Sequence, residues 1–160
     1  MTQQQFLLRA NTNWKMRLYM FWKLPAAWFM GLRVRHCDLQ ECIVELPYGW
    51  RSQNPFRSIY FAAQCAAGEL STGLMALAQL QEKPPVSMLV TRIEADFTKK
   101  ASQILTFTCT DGAALQEVIE KAIESGEAQH FQATSIATLP DGTEAARVRV
   151  SWAFKMKAGR

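Results

Sequence analysis

A carboxyl group surrounded by small and apolar side chains holds its proton more tightly than one in water, and Glu69 stands in such a setting. From Ser58 to Leu77 the chain carries no other charge. On a helix, Glu69 shares its face with Ala62, Cys65, Ala66, Thr72 and Gly73. Those side chains are small enough to admit a second backbone or a flat ligand. Desolvation raises a carboxyl pKa toward the range in which it serves as a general base. The alternative, usual for an arbitrary helical glutamate, is an ion pair with an arginine or a wet helix edge; the uncharged run around Glu69 favours chemistry. Ser71 and Thr72 have no base partnering them in sequence, so neither reads as a nucleophile. Cys37, Cys42, Cys65 and Cys109 form no CxxC, and with only His36 and His130 available they lack zinc-site spacing. They read as buried, reduced thiols.

The elements that must position Glu69 follow from periodicity. Asn54-Pro55 offers a cap and a first-turn proline for a long helix running to about Leu80, before Pro84-Pro85. Two strand-like runs precede it, Leu32 to Leu39 and Cys42 to Leu46, then turn-rich sequence from Pro47 to Pro55. After it the period becomes two. Leu89, Thr91, Ile93, Ala95 and Phe97 share one face of a strand, and Leu105, Phe107 and Cys109 one face of the next. Asp111 caps an amphipathic helix bearing Leu115, Val118, Ile119, Ala122 and Ile123, which ends near Gly126. Strands from about Gln129 to Leu139 and from Glu144 to Met156 flank the turn Pro140-Asp141-Gly142. These predict an α+β fold: a curled antiparallel sheet around a long central helix, in a single domain over residues 1–160.

The first thirty residues form a helical segment of different character. Asn11-Thr12-Asn13 predicts a cap for a helix from about Trp14, whose apolar stripe is Trp14, Leu18, Phe21 and Trp22; Pro25 ends or kinks it. Six basic residues and no acid precede Asp38, while the rest of the chain is nearly balanced within a net charge of +4. The expectation is a helix laid on the core with its cations turned outward, ahead of contact with a membrane surface. Nucleic-acid binding is disfavoured, because the charge shares its segment with the apolar stripe. Lys23 and Pro25 break the run from Leu18 to Leu32, so it does not span a bilayer, and no cleavable signal pattern is present. A cytoplasmic location is expected.

The segment Asn54-Pro55-Phe56-Arg57-Ser58-Ile59-Tyr60, with an acid at position 69, resembles the start of the central helix in PaaI-like hotdog thioesterases and their DUF4442 relatives. Ala95-Asp96-Phe97-Thr98-Lys99-Lys100-Ala101 is similar to the family's phenylalanine-containing turn, and the likeness spans roughly residues 31 to 157. It implies a hotdog fold and an acyl-CoA thioesterase-like hydrolase, with a non-catalytic acyl or lipid binder as the alternative. By that resemblance Glu69 activates water or attacks the thioester itself, and Asn54 orients water or carbonyl. N–H groups near Tyr60 and Phe61 hold the oxyanion, while Tyr60, Phe61 and Ala62 line the substrate. Arg57, Lys99 and Lys100 meet the phosphates of coenzyme A, which enters as part of the substrate; no separate cofactor is implied. A homodimer or dimer of dimers, joined sheet edge to sheet edge, is implied as well. The chain departs from the pattern at Tyr60-Phe61-Ala62, where family enzymes often carry His-Gly-Gly, and at Pro55, where a histidine often follows the asparagine.

Overall fold

The computed structural model describes residues 1–157. In chain order its elements are α1 (Gln3–Ala10), α2 (Asn13–Lys23), α3 (Pro25–Met30), β1 (Arg33–Cys37), β2 (Cys42–Leu46), α4 (Phe61–Gln79), β3 (Val86–Phe97), β4 (Leu105–Cys109), α5 (Gly112–Ser125), β5 (Gln129–Thr138) and β6 (Glu144–Met156). The six strands form one sheet in the order β1-β2-β4-β5-β6-β3, every neighbouring pair antiparallel. This is the curled sheet around a central helix that the periodicities predict.

α4 is wrapped because its composition leaves it no wet side. It buries Ala63, Ala67, Leu70, Leu74, Met75 and Ala76 together with the small polar Ser71 and Thr72, and a helix apolar nearly all round is driven inward. Phe107, Phe154 and Met75 are fully buried in the same core, each stabilising the fold by about 1.5–3 kcal/mol. Closeness is set at Gly68: a Cβ there would lie 2.6 Å from Val148 Cβ of β6. One turn on, Ser71 Oγ is 2.8 Å from Ser135 Oγ of β5 and donates to the Gly68 carbonyl at 2.8 Å. At the far end buried Gln79 ties three elements together, its Nε2 donating to the carbonyls of Leu39 (2.8 Å) and Gly112 (2.7 Å).

Sequence and structure part company at several places. α4 begins at Phe61, with Tyr60 at the cap position and no side-chain cap, rather than at Asn54-Pro55. The Asn54 side chain instead folds its own loop: Oδ1 accepts from Phe56 N–H (3.0 Å), Ser58 N–H (3.2 Å) and Ser58 Oγ–H (3.2 Å). Asparagine bonds readily to nearby backbone, so it serves a turn as well as a cap. Asp111 does precede α5, but its carboxylate accepts from Thr134 N–H at 2.7 Å and makes no cap bond. α1, with its Thr2–Gln5 capping box, is an added element. Pro25 opens a new short helix, at its first position.

The larger correction concerns α2. The residues it buries are Met16 and Met20, while Trp14, Leu18, Phe21 and Trp22 are exposed. Two apolar faces share the 3.6 period, and the one that meets the core is the flexible methionine pair, which fits an irregular gap more easily than indole rings. β3 also differs from simple alternation. A bulge at Thr91 shifts the register, so that Leu89 opposes Ala153 whereas Ile93 opposes Val150. Opposed residues share a face and neighbours along β6 alternate, so Leu89 points away from the helix and Ile93, Ala95 and Phe97 point toward it.

The contact at Gly68 yields a direct test. Gly68→Ala drives a methyl group into Val148, and urea denaturation is expected to show a loss of about 1–3 kcal/mol, although alanine is the better helix former. Unchanged or increased stability would show that α4 and β6 are not held at this spacing.

Candidate active site

Glu69 sits on the third turn of α4 and is partly buried. Among the described residues no lysine, arginine or histidine nitrogen lies within salt-bridge distance of its carboxylate, which removes the ion-pair alternative. Burial alone pushes its pKa above the ordinary value of 4.5. The floor beside it is Gly73: a Cβ there would be 3.2 Å from Glu69 Oε1 and 3.3 Å from Trp152 Cη2 and Cζ2. Carboxylate and indole therefore crowd over one glycine.

Trp152 is held by the hydrogen bond of its Nε1–H to Thr72 Oγ1 (3.1 Å), and Thr72 Oγ1 donates to the Glu69 carbonyl (3.0 Å). A single strand separates this group from the sheet's edge. Trp152 belongs to β6, and its partner across the ladder is Val90 of β3, the outermost strand. Two cavities, of about 620 and 330 Å3, both lie elsewhere and do not include Glu69 among their lining residues. The carboxylate thus lies beside Trp152 of β6, one strand in from the edge strand β3.

The start of α4 is built separately. Ile59 N–H donates to the Ala101 carbonyl and Tyr60 N–H to the Ser52 carbonyl, both at 2.7 Å. These two bonds bring the Asn54 loop and the Lys99-Lys100 loop to the same end of the helix. Arg57, Lys99 and Lys100 are exposed there, and Arg57 holds φ at +56°. Because the Tyr60 N–H is already engaged, the free donors of the first turn are those of Phe61 and Ala62. Tyr60 and Phe61 are exposed, their rings 4.8 Å apart, and Phe61 stands 6.5 Å from Phe97 of β3. Gln64, buried beneath them, donates from Nε2 to the Ile59 carbonyl (3.2 Å) and leaves Oε1 without a partner among the described residues.

The two halves do not meet within one chain. Phe61 and Glu69 are eight positions apart on one helix, which is roughly 12 Å along its axis. The sequence-predicted residues thus fall into a carboxylate station (Glu69) and a helix-start station (Asn54, Arg57, Tyr60, Phe61, Ala62, Lys99, Lys100). Trp152 belongs to the first station and was not among the sequence candidates. Alternation places it on the inward face of β6, but only the packing shows which turn of α4 it meets. Gln64 was missed because a glutamine in an alanine-rich helix carries no local signal.

Burial of Glu69 has a measurable consequence. A carboxyl whose folded pKa lies above its unfolded value destabilises the fold as pH rises from the unfolded value through the folded one. Glu69→Gln removes that cost, so the variant is expected to melt higher than the parent at neutral pH, with the difference vanishing below about pH 4. Coincident melting curves at neutral pH would mean a fully hydrated carboxylate.

The fold is shared with known structures. A Pseudomonas aeruginosa protein of unknown function, described as a probable thioesterase, superposes with a TM-score of 0.74 at 15% identity, covering 89% of this chain and 95% of that one. A Chlorobaculum tepidum protein of unknown function gives 0.75 at 14% identity, over 89% and 93%. A Haemophilus influenzae thioesterase gives 0.64 at 15% identity, over 86% and 87%. At such identities the likeness carries the hotdog fold. No curated protein matches the chain. Residues 12–154 match the model of the domain of unknown function DUF4442, a span that runs from α2 into β6 and takes in both stations, and the chain belongs to that family.

Proposed function

We propose that the chain is a thioester hydrolase acting on acyl-CoA-type substrates, with Glu69 as general base or nucleophile. The observation that carries this reading is the partly buried carboxylate over Gly73 beside Trp152, with no ion-pair partner among the described residues. A carboxylate poised this way takes a proton from water, or attacks directly, at a thioester carbonyl. The Phe61 and Ala62 N–H groups supply donors at the positive end of α4 for the developing oxyanion, and Arg57, Lys99 and Lys100 supply charge for phosphates. Asn54 contributes by holding the loop that carries Arg57. The hotdog relatives described as thioesterases support the same class.

The separation of roughly 12 Å between the stations means that one carbonyl cannot touch both in a single chain. A homodimer resolves this, with the carboxylate of one protomer facing the helix start of its partner. β3 is suited to the contact. It is a twelve-residue edge strand with exposed Leu89, Ile93 and Phe97, and such an edge invites pairing with another copy. The second reading, a non-catalytic acyl binder, draws on the aromatic cluster Tyr60-Phe61-Phe97, which walls the helix start with apolar surface where family enzymes often carry glycines.

Hydrolysis of an acyl-CoA series of increasing chain length tests the assignment. Glu69→Gln is expected to lower kcat by about 10²–10⁴-fold while retaining the dimer, with the activity of the parent falling on an acid limb above the ordinary carboxylate range. Activity untouched in the variant would remove Glu69 from the mechanism, and saturable acyl-CoA binding without turnover in the parent would establish the binder. Sedimentation of the parent is expected to give a dimer, which Leu89→Lys with Ile93→Lys shifts toward monomer through like-charge repulsion along the edge.

A further inference from the structure

We propose that the outer face of α2 docks on an anionic lipid bilayer, a property independent of the chemistry at Glu69. At about 100° per residue, Phe21, Trp14, Leu18 and Trp22 fall within one arc of α2, on the opposite side from the buried Met16 and Met20. The helix is apolar twice, and the core uses only one of its faces. Trp14 is 65% exposed and Trp22 72%, exposures that a monomeric surface rarely combines on one helix. Arg17 borders the arc on one side and Lys15 on the other, with Lys15 Nζ 5.6 Å from the Trp14 ring centroid.

The apolar surface continues beyond the helix. Phe21 and Trp28 meet edge to face at 5.1 Å, and Phe29 meets Trp50 at 6.2 Å. On the other flank a groove of about 620 Å3 opens between α1 and α2, floored by Leu74 and bordered by Arg9 and Lys23.

Charge selects the occupant. The first thirty-seven residues hold six cations and no acid, and among the described residues only Arg35 of those cations is ion-paired, to Glu45. A second copy of the same face would set cations against cations across a two-fold axis. An acidic protein would answer the charge but has no special use for protruding indoles. Indole rings settle at the boundary between headgroups and acyl chains, and a helix with an aromatic face flanked by lysine and arginine lies in that plane. No helix among the described residues is long and apolar enough to cross a membrane, so the contact is peripheral.

Co-sedimentation of the full chain with vesicles made of two parts phosphatidylcholine to one part phosphatidylglycerol tests this. At low salt the protein is expected in the pellet, with its tryptophan emission shifted to the blue, and at least about tenfold less on phosphatidylcholine alone. Trp14→Ser with Trp22→Ser should weaken association about tenfold without altering the melting curve, since neither ring is in the core. Lys15→Gln with Arg17→Gln should weaken it about thirty-fold on the anionic vesicles. Protein left in the supernatant with anionic vesicles overturns the proposal. So does equal binding by the parent and the tryptophan double variant, the mark of a purely ionic contact such as an acidic protein would make. A drop in oligomeric mass on Trp14→Ser with Trp22→Ser would assign the face to a contact between copies of the chain and equally overturn it.

Discussion

The close approach of α4 to β6 is the constraint on which the rest depends. Gly68 lets the helix backbone lie against Val148, and Ser71 completes the contact by meeting Ser135 without leaving a buried hydroxyl unpaired. Once the helix is seated at that depth, its rotation is fixed. Met75 and Ala76 enter the core, Gln79 reaches the carbonyls of Leu39 and Gly112, and Glu69 is turned toward Trp152. The carboxylate is desolvated because the helix around it is, and its raised pKa is a by-product of packing. Keeping an ionisable group there costs stability at neutral pH, and an unused glutamate would be replaced at little loss by any small or apolar residue.

The edges of the sheet are treated unequally. Outside β1, Asn11 acts as a substitute strand residue: its Oδ1 accepts from Cys37 N–H at 2.9 Å and its Nδ2 donates to the Cys37 carbonyl at 2.7 Å. A side-chain amide thus satisfies both polar groups of a backbone that would otherwise seek a partner. At the other edge β3 has no such cover among the described residues, and the Thr91 bulge turns Ile93 and Phe97 to the helix side, where both remain exposed. An uncovered edge strand next to the strand that carries Trp152, the neighbour of Glu69, fits the two-chain site proposed above.

Most of this architecture is legible in the sequence because periodicity reports it. β2 and β6 run from Cys42 to Leu46 and from Glu144 to Met156 as alternation alone indicates, and Gly126 closes α5 at φ +70°. What periodicity cannot report is which of two equivalent patterns wins. Asn54 suits a helix cap and an asparagine turn equally, and tertiary bonds from Ile59 to Ala101 and from Tyr60 to Ser52 delay the helix until Phe61. α2 offers the core two apolar faces, and Met16 with Met20 takes the buried place. A one-residue bulge is silent in an apolar-polar pattern, yet it sends Leu89 to the opposite face from Ile93. In the site, Glu69 is conspicuous because it is charged among neutral residues. Trp152 is hidden because it looks like any other inward-facing residue of a strand.

The two surfaces singled out above use α4 from different sides. Leu74, the floor of the groove under α2, is five positions beyond Glu69 and therefore about 140° farther round the helix. Lipid contact through α2 would leave the β3 edge unobstructed, so pairing of protomers and docking on a bilayer need not compete for the same residues. The separation also accounts for the N-terminal sequence. A lid serving only the core would need Met16 and Met20, with polar residues outside them. The indoles at Trp14 and Trp22 add nothing to that packing, and exposed apolar rings raise the tendency of a free chain to aggregate. Their presence, bracketed by Lys15 and Arg17 with no acid in the segment, calls for an external partner that is both oily and negative.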